Sequence, residues 1–237
     1  MSEPIQRRKL LLSMATLPAI TFGLAACSDS GSGTAQAEGA ATDPVTTAAV
    51  DAPASTGSVD MAKLLEAGAL EDKALGEESA PVTIVEYASM TCGHCATFHN
   101  TTYPALKEKY IDTGKVRFIM REFPFDPRAE AGFMLARCAG DNYFAMVDVL
   151  FKQQNNWAPV QDAQAALLKI AKLAGFSQET FEACLTNQEL LNDVRAVRER
   201  GANDFGIDAT PTFFINGKKY SGAMSIEQMS ALIDPLI

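Results

Sequence analysis

Two cysteines separated by two residues, Cys92 and Cys95, have the clearest capacity for chemistry in this sequence. Gly93 and His94 lie between them, a run rich in β-branched residues over 82–87 precedes them, and a segment with helical character follows. Cysteines at this spacing can close a small disulfide ring. At a helix start, unpaired backbone N–H groups and the helix dipole favour a thiolate, which is the reacting species in disulfide exchange. The motif therefore predicts a redox pair in which Cys92 is the attacking thiol.

The composition is that of a globular protein with an acidic body. The chain has 237 residues, an apolar content of 47% and a formal net charge of −9. This length allows one large domain or two small ones with a sizeable core. The basic residues Arg7, Arg8 and Lys9 lie near the N-terminus, so the rest of the chain is more acidic than the whole. An acidic body argues against nucleic acid as a partner.

Residues 1–26 have the features of a signal peptide. Arg7 and Arg8 belong to a basic start, and an apolar run extends from Leu10 to Ala26. The run is too short and too close to the N-terminus to predict a membrane-spanning helix, so we predict export. A pair of arginines occurs in twin-arginine signals and in ordinary signal peptides alike, so the export route stays open.

The signal ends in a sequence that resembles the lipobox of bacterial lipoproteins, Leu24 to Cys27. The resemblance implies that Cys27 is lipidated and becomes the first residue of the mature protein. The alternative is ordinary cleavage that leaves Cys27 as an incidental thiol. Residues 27–58 consist almost entirely of small and polar residues, which cannot bury enough surface to offset their ordering entropy. They are predicted to form a flexible tether to the membrane.

The remaining residues, 59–237, alternate between strand and helix signals, which predicts an α/β domain. Residues rich in β-formers indicate the strands, and apolar residues that recur every third or fourth position indicate the helices. Asn216-Gly217 indicates a hairpin turn. The predicted elements are, in order, a short helix within 61–70, strand 82–87, helix 95–110, strand 116–121, a helical block over about 126–200, strands 211–215 and 218–222, and a helix after Ser225.

This element order resembles the thioredoxin superfamily, and the helical block resembles its DsbA-like branch. The resemblance covers about residues 73–237. Three separated features carry it: Glu86 six residues before Cys92, the Cys92 to Cys95 motif, and Thr210-Pro211 before a late strand. The resemblance implies a thioredoxin fold with a helical insertion and a thiol–disulfide oxidoreductase that needs no prosthetic group.

The resemblance also implies roles for single residues. Cys92 forms the mixed disulfide, and either the second thiol of the substrate or Cys95 resolves it. His94 can donate a hydrogen bond to the Cys92 thiolate or stabilise it when charged. Gly93 departs from the proline usual in DsbA itself, and the Gly-His pair is similar to that of protein disulfide isomerases, so the strength of the oxidising character stays open. Glu86 corresponds to a buried acid that assists proton transfer from Cys95. The alternative for Glu86 is a solvent-facing strand residue.

By the same resemblance, the bond before Pro211 is cis. The Thr210 backbone would then lie beside the redox pair and bind an incoming peptide in the manner of a strand. Taken without the other motifs, Thr210-Pro211 would indicate only an ordinary strand entry.

The other cysteines, Cys138 and Cys184, both lie in the helical block. Exported proteins often use such pairs structurally, so we predict a disulfide between them. The alternative is two buried free thiols that act as small apolar side chains.

A metal site is the competing interpretation of the cysteine pair. Cys92, Cys95 and His99 could supply three ligands, but a structural zinc site needs four and no second Cys-x-x-Cys is present. We therefore predict no metal. His99 is predicted to be an ordinary helix residue.

The sequence as a whole predicts a monomeric oxidoreductase on the periplasmic side of the bacterial cell envelope, held by a lipid anchor. It would donate its disulfide to reduced or unfolded exported proteins and be reoxidised by a quinone-linked membrane partner of the DsbB kind. A reductase or isomerase of the same fold is the first alternative. A tethered metal-binding or chaperone module is the second.

Overall fold

The protein is described by a computed structural model over residues 51–237, and its centre is a six-stranded sheet. The strand order is β1-β6-β5-β3-β4-β2. Strands β3 and β4 pair in parallel, and every other neighbouring pair of this sheet is antiparallel. The strands are β1 (Gly57–Ser58), β2 (Lys73–Leu75), β3 (Val82–Ala88), β4 (Val116–Glu122), β5 (Thr212–Ile215) and β6 (Lys218–Ser221).

Strand β3 is buried on both faces, because apolar clusters cover the sheet from both sides. Ile84 and Ala88 belong to one cluster, whereas Val85 and Tyr87 belong to the other. Successive side chains of a strand point to opposite faces, so Glu86 lies on the face of Ile84 and Ala88. That face carries the helix that follows the cysteine motif.

The active-site helix runs from Gly93 to Ile111 in four consecutive segments. These are α2 (Gly93–Thr97), a π-helical segment (Phe98–Thr102), α3 (Tyr103–Leu106) and a second π-helical segment (Lys107–Ile111). The helix predicted over 95–110 is therefore confirmed. Cys95 and His99 are four residues apart, a spacing that places them on one face of a helix.

A block of six α-helices lies between β4 and β5, where a helical insertion was predicted. Asp126 caps its first helix with hydrogen bonds from the backbone N–H groups of Arg128 and Ala129 at 2.8 and 3.0 Å. Gly206 ends the last helix in a left-handed conformation. The helices are α4 (Pro127–Cys138), α5 (Tyr143–Lys152), α6 (Gln154–Trp157), α7 (Ala163–Leu173), α8 (Gln178–Leu185) and α9 (Gln188–Phe205).

The C-terminal hairpin and helix agree with the sequence prediction. Asn216 and Gly217 connect β5 to β6 with φ angles of 43° and 85°. Gly217 is required by contact as well, because a Cβ there would lie 2.6 Å from the carbonyl oxygen of Val59. Ser225 caps the last α-helix, α10 (Ile226–Ile233).

Regular secondary structure extends into the segment that was predicted to be a tether. Gly57 and Ser58, which lie in the predicted tether over 27–58, form β1 and pair with Lys219 and Lys218 of β6. Glycine and serine carry no strand signal, because the pairing uses backbone groups alone. The first helix, α1 (Met61–Leu64), is also shorter than predicted.

The predicted signal peptide, the lipidation site Cys27 and most of the tether lie outside the described residues. Within residues 51–237, no helix is both long and apolar enough to span a membrane.

Candidate active site

Cys92 lies at the N-terminus of the active-site helix, at the end of the loop that connects β3 to α2. It is the N-cap residue, with φ −76° and ψ 119°, and its carbonyl oxygen accepts the N–H of Ala96 at 3.1 Å. The backbone N–H groups of His94 and Cys95, in the first turn of the helix, have no partner within it and interact with the Cys92 sulfur. The predicted position of the motif at a helix start is thus observed.

The surroundings of Cys92 favour its thiolate. A hydrogen bond from the Cys95 thiol is the largest cause, and the backbone N–H groups of Cys95 and His94 act in the same direction. Partial burial opposes them, but together they lower the pKa of Cys92 from 9.0 to about 5. A half-buried sulfur with this pKa is ionised and reactive at neutral pH.

Cys95 has the opposite character. It is fully buried, and burial raises the pKa of its thiol well above 9.0, with further contributions from the hydrogen bond to Cys92 and from the charge of Glu86. The two cysteines are not bonded to each other, so the structure shows the dithiol form. Cys92 is therefore the nucleophile, whereas Cys95 stays protonated until a base accepts its proton.

The Thr210-Pro211 loop lies against the redox pair. The bond between the two residues is cis. Cys92 Sγ lies 3.3 Å from the carbonyl oxygen of Thr210, to which it can donate a hydrogen bond only when it is protonated, and Thr210 Oγ1 is buried without a partner among residues 51–237. The loop thus brings a backbone edge to the reactive sulfur across 118 residues of sequence.

The side chain of His94 is exposed and makes no hydrogen bond to the described part of the chain. Its backbone N–H, rather than its ring, contributes to the thiolate.

Glu86 is completely buried beneath the active-site helix, which excludes the alternative of a solvent-facing strand residue. Its Oε2 lies 2.9 Å from Nε2 of His99, and its Oε1 has no partner among the described residues. The ring of His99 stacks on Phe151 with centroids 4.4 Å apart. His99, which was predicted to be an ordinary helix residue, is therefore part of the site.

Two residues of the helical block hold the loop before Cys92, and the sequence did not identify either. Gln154 donates from Nε2 to the carbonyl oxygens of Met90 and Cys92 at 2.9 and 3.0 Å. Asp126 accepts from Thr91 Oγ1 at 2.5 Å while it caps α4. An N-cap aspartate could be recognised locally, but a single glutamine in a helix carries no such signal.

Away from the redox pair, Cys138 of α4 and Cys184 of α8 are joined by a disulfide. The alternative of two free thiols does not apply to the structure. Across residues 51–237, no group of three or more histidine, cysteine, aspartate or glutamate residues is arranged to hold a metal ion.

Comparison with known proteins decides the family. The family model described as thioredoxin matches residues 69–235. The chain belongs to the thioredoxin family. A relative from Rickettsia felis, named provisionally as a protein-disulfide oxidoreductase, is 35% identical over 165 residues, or 69% of this chain and 59% of the relative. A Bacillus anthracis protein, named provisionally as disulfide bond formation protein D, is 31% identical over 152 residues, or 61% of this chain and 70% of the relative.

Solved structures place this thioredoxin-family chain in the DsbA-like branch. The crystal structure of alpha-DsbA1 from Wolbachia pipientis matches with a TM-score of 0.66 and 34% identity, and the match covers 70% of this chain and 90% of that one. Oxidised BdbD from Bacillus subtilis matches with a TM-score of 0.62 at 21% identity over 69% and 91% of the two chains, which shows the shared fold alone. The predicted thioredoxin fold with a helical insertion is confirmed. The matched region spans about 59% of the Rickettsia felis relative.

Proposed function

We propose that the protein is a thiol–disulfide oxidoreductase that donates the Cys92–Cys95 disulfide to other proteins. The observation that supports this proposal best is the contrast between the two sulfurs. Cys92 is half-buried with a pKa of about 5, whereas Cys95 is fully buried with a raised pKa. A stabilised thiolate favours the reduced form, which makes the disulfide easier to reduce and hence a better oxidant of other thiols.

In the proposed reaction a substrate thiolate attacks Cys92 Sγ of the oxidised protein. The Cys92–Cys95 bond breaks, and Cys95 leaves and takes up a proton, which Glu86 supplies. A second substrate thiolate then attacks the substrate sulfur of the mixed disulfide and releases Cys92 as a thiolate. The substrate loses two electrons and gains a disulfide, and the cysteine pair of the protein gains those electrons.

The Thr210-Pro211 loop would orient the substrate for this attack. In the reduced form the Thr210 carbonyl oxygen lies 3.3 Å from Cys92 Sγ, beside the position that a substrate sulfur must reach. We propose that an extended substrate segment pairs with the backbone of Thr210, as an added strand would.

We propose further that the protein works on the periplasmic side of the cell envelope, as a monomer that a lipid on Cys27 holds at the membrane. Its substrates would be reduced or unfolded exported proteins, and a quinone-linked membrane protein of the DsbB kind would reoxidise it. Labelling with a fatty-acid analogue tests the anchor. Label on the natural chain, lost in Cys27→Ser, is the expected result, and an unlabelled natural chain would exclude it.

The experiment that tests the catalytic proposal is oxidation of a dithiol peptide by the purified, oxidised protein. We expect stoichiometric peptide disulfide and loss of the reaction in Cys92→Ser. Alkylation trapping in cells should find the pair mostly oxidised. A pair that is mostly dithiol in cells would count against the donor role.

A reductase or isomerase is the second candidate, because Gly93 and His94 form the dipeptide similar to that of protein disulfide isomerases. Equilibration with glutathione separates the candidates. A strongly oxidising couple supports the donor, and a couple as reducing as that of thioredoxin, about −270 mV, supports the reductase.

A further inference from the structure

The environment of Glu86 points to a role for His99. The carboxyl group is fully buried, and His99, which is only 2% exposed, is its hydrogen-bond partner in the described structure. A carboxylate only accepts hydrogen bonds, so His99 Nε2 carries the hydrogen of this bond whenever Glu86 is ionised. A buried carboxylate with neither a donor nor a counter-charge is strongly disfavoured, so His99 supplies the donor that a buried carboxylate at this position requires.

The contact occupies one carboxyl oxygen and leaves the other free. Oε2 faces His99, and Oε1 has no partner among residues 51–237. Cys95 lies four residues before His99 on the same helix, above the same face of β3, and its thiol experiences the charge of Glu86. Glu86 therefore has one oxygen held by a donor and one available for a proton.

The other titratable groups near Glu86 do not replace His99. Tyr103 of the active-site helix and Tyr143 of α5 both experience the charge of Glu86, but burial raises the pKa of each phenol, so both stay neutral. Cys92 and Cys95 are the reacting thiols themselves. Phe151 stacks on the imidazole ring. Nothing else in the described part of the chain donates a hydrogen bond to the Glu86 carboxyl group.

We propose that His99 is a positioning residue, which holds the Glu86 carboxyl group through Oε2 so that Oε1 can exchange a proton with Cys95. The biological role of this proton exchange rests on the proposed function. The exchange itself occurs whether the cysteine pair is being reduced or oxidised. When Cys95 attacks a mixed disulfide on Cys92, its proton passes to Glu86, the Cys95–Cys92 bond forms, and the bond from Cys92 to the partner sulfur breaks. The partner leaves as a thiolate with the electron pair of that bond.

Resolution of a small mixed disulfide measures this step directly. The reduced full-length protein reacts with an aromatic disulfide that releases one coloured thiolate when it modifies Cys92 and a second when Cys95 attacks. In His99→Phe we expect the second release to slow at least about tenfold at neutral pH, because a hydrogen bond to a charged group changes proton affinity by about ten- to a hundredfold. The rise of this rate with pH should move to higher pH, while the first release is unchanged.

Three further variants separate positioning from packing. His99→Gln keeps an N–H donor and should retain most of the rate, whereas Glu86→Gln should be as slow as His99→Phe. The double variant Glu86→Gln/His99→Phe should be no slower than Glu86→Gln alone, because His99 acts through Glu86. Tyr103→Phe is the matched control: its ring lies 5.0 Å from that of His99, and it loses only a hydroxyl group. It should resolve at the natural rate.

A natural rate and pH profile in His99→Phe would overturn the inference. So would a slow His99→Gln beside a fast Glu86→Gln, because the effect would then come from packing. If the natural protein resolves the small mixed disulfide in a His99-dependent way but does not oxidise a dithiol peptide, the positioning role stands and the proposed donor function fails.

Discussion

At the scale of single residues, the reactivity of Cys92 comes from neutral hydrogen-bond donors. The Cys95 thiol and the backbone N–H groups of His94 and Cys95 lower its pKa, and no charged side chain is among the causes. Hydrogen bonds that form only with the charged species favour it without a counter-ion. The thiolate should therefore be less sensitive to salt than one held by a surface ion pair.

The titration of Cys92 is the first prediction at this scale. Alkylation of the reduced protein should rise with pH around a midpoint of about 5. Cys95→Ala removes the largest of the causes, so its midpoint should lie about one to two units higher. Rapid alkylation with a pH-dependent rate is the readout. A midpoint near the ordinary value of 9.0 in the natural protein would contradict the assignment.

The same shift makes the stability of the reduced protein depend on pH. The pKa of Cys92 is about 5 in the folded protein and near 9.0 when it is unperturbed, so the unfolded chain binds more protons between these values. The free energy of unfolding of the reduced form should therefore rise with pH through this window, and the gain is lost as the pH falls through about 5.

Denaturant titrations of both redox forms across this range measure the effect. The oxidised form has no thiol at residue 92 to titrate, so the difference between the two forms should move in favour of the reduced protein as the pH rises. Parallel curves for the two forms would show that Cys92 does not carry the shift.

At the scale of elements, two separate parts of the helical insertion hold the loop before Cys92. Gln154 of α6 donates to two carbonyl oxygens of that loop, and Asp126 joins the start of α4 to Thr91. A loop held by two separate elements keeps the sulfur of Cys92 in a defined place, as a site that must present a nucleophile requires.

Gln154→Leu tests this support. It removes both side-chain donors and leaves the buried carbonyl oxygen of Met90 without this partner, so we expect a loss of about 2 kcal/mol in the free energy of unfolding. Alkylation of Cys92 should also slow as the loop becomes less defined. Asn156→Leu is the matched control, because Asn156 is exposed in the same helix. Equal effects of the two changes would assign the loss to the helix rather than to the loop.

At the scale of the whole molecule, a disulfide connects two helices of the insertion and an ion pair connects the insertion to the sheet. The Cys138–Cys184 disulfide connects α4 to α8. Arg137 of α4 contacts Glu122 of β4 through Nε and Oε1 at 2.6 Å, and both side chains are largely buried. Tyr143 donates to the same carboxyl oxygen at 3.1 Å. The insertion is therefore anchored near the end of the strand beside β3.

The disulfide should contribute substantially to stability. It closes a loop with a sequence separation of 46, for which the chain-entropy model gives about 4 kcal/mol. The double variant Cys138→Ala/Cys184→Ala should lose up to this amount in denaturant unfolding while its Cys92 titration is unchanged. If Cys138 and Cys184 could both be alkylated in the denatured, unreduced protein, the bond would be absent and the expectation wrong.

Much of the fold follows from local signals in the sequence. The β-branched run of β3, the Asn216-Gly217 turn and the serine cap of α10 each act between residues a few positions apart, so their elements were predicted correctly. The cysteine motif belongs to the same class, because its chemistry depends on a spacing of three residues at a helix start.

Residue patterns do not determine which distant groups meet, and the contact of Thr210 with the redox pair was predicted only from the resemblance to a known fold. The Thr210 carbonyl reaches Cys92 across 118 residues, Gln154 reaches Met90 across 64, and His99 reaches Glu86 across an intervening loop. None of these contacts has a local pattern, because a hydrogen bond between two elements depends on how the elements pack. The sequence thus determined the reactive pair and the local hydrogen-bond donors that lower the pKa of Cys92. Packing determined the burial of Cys95 and the distant groups that surround the pair.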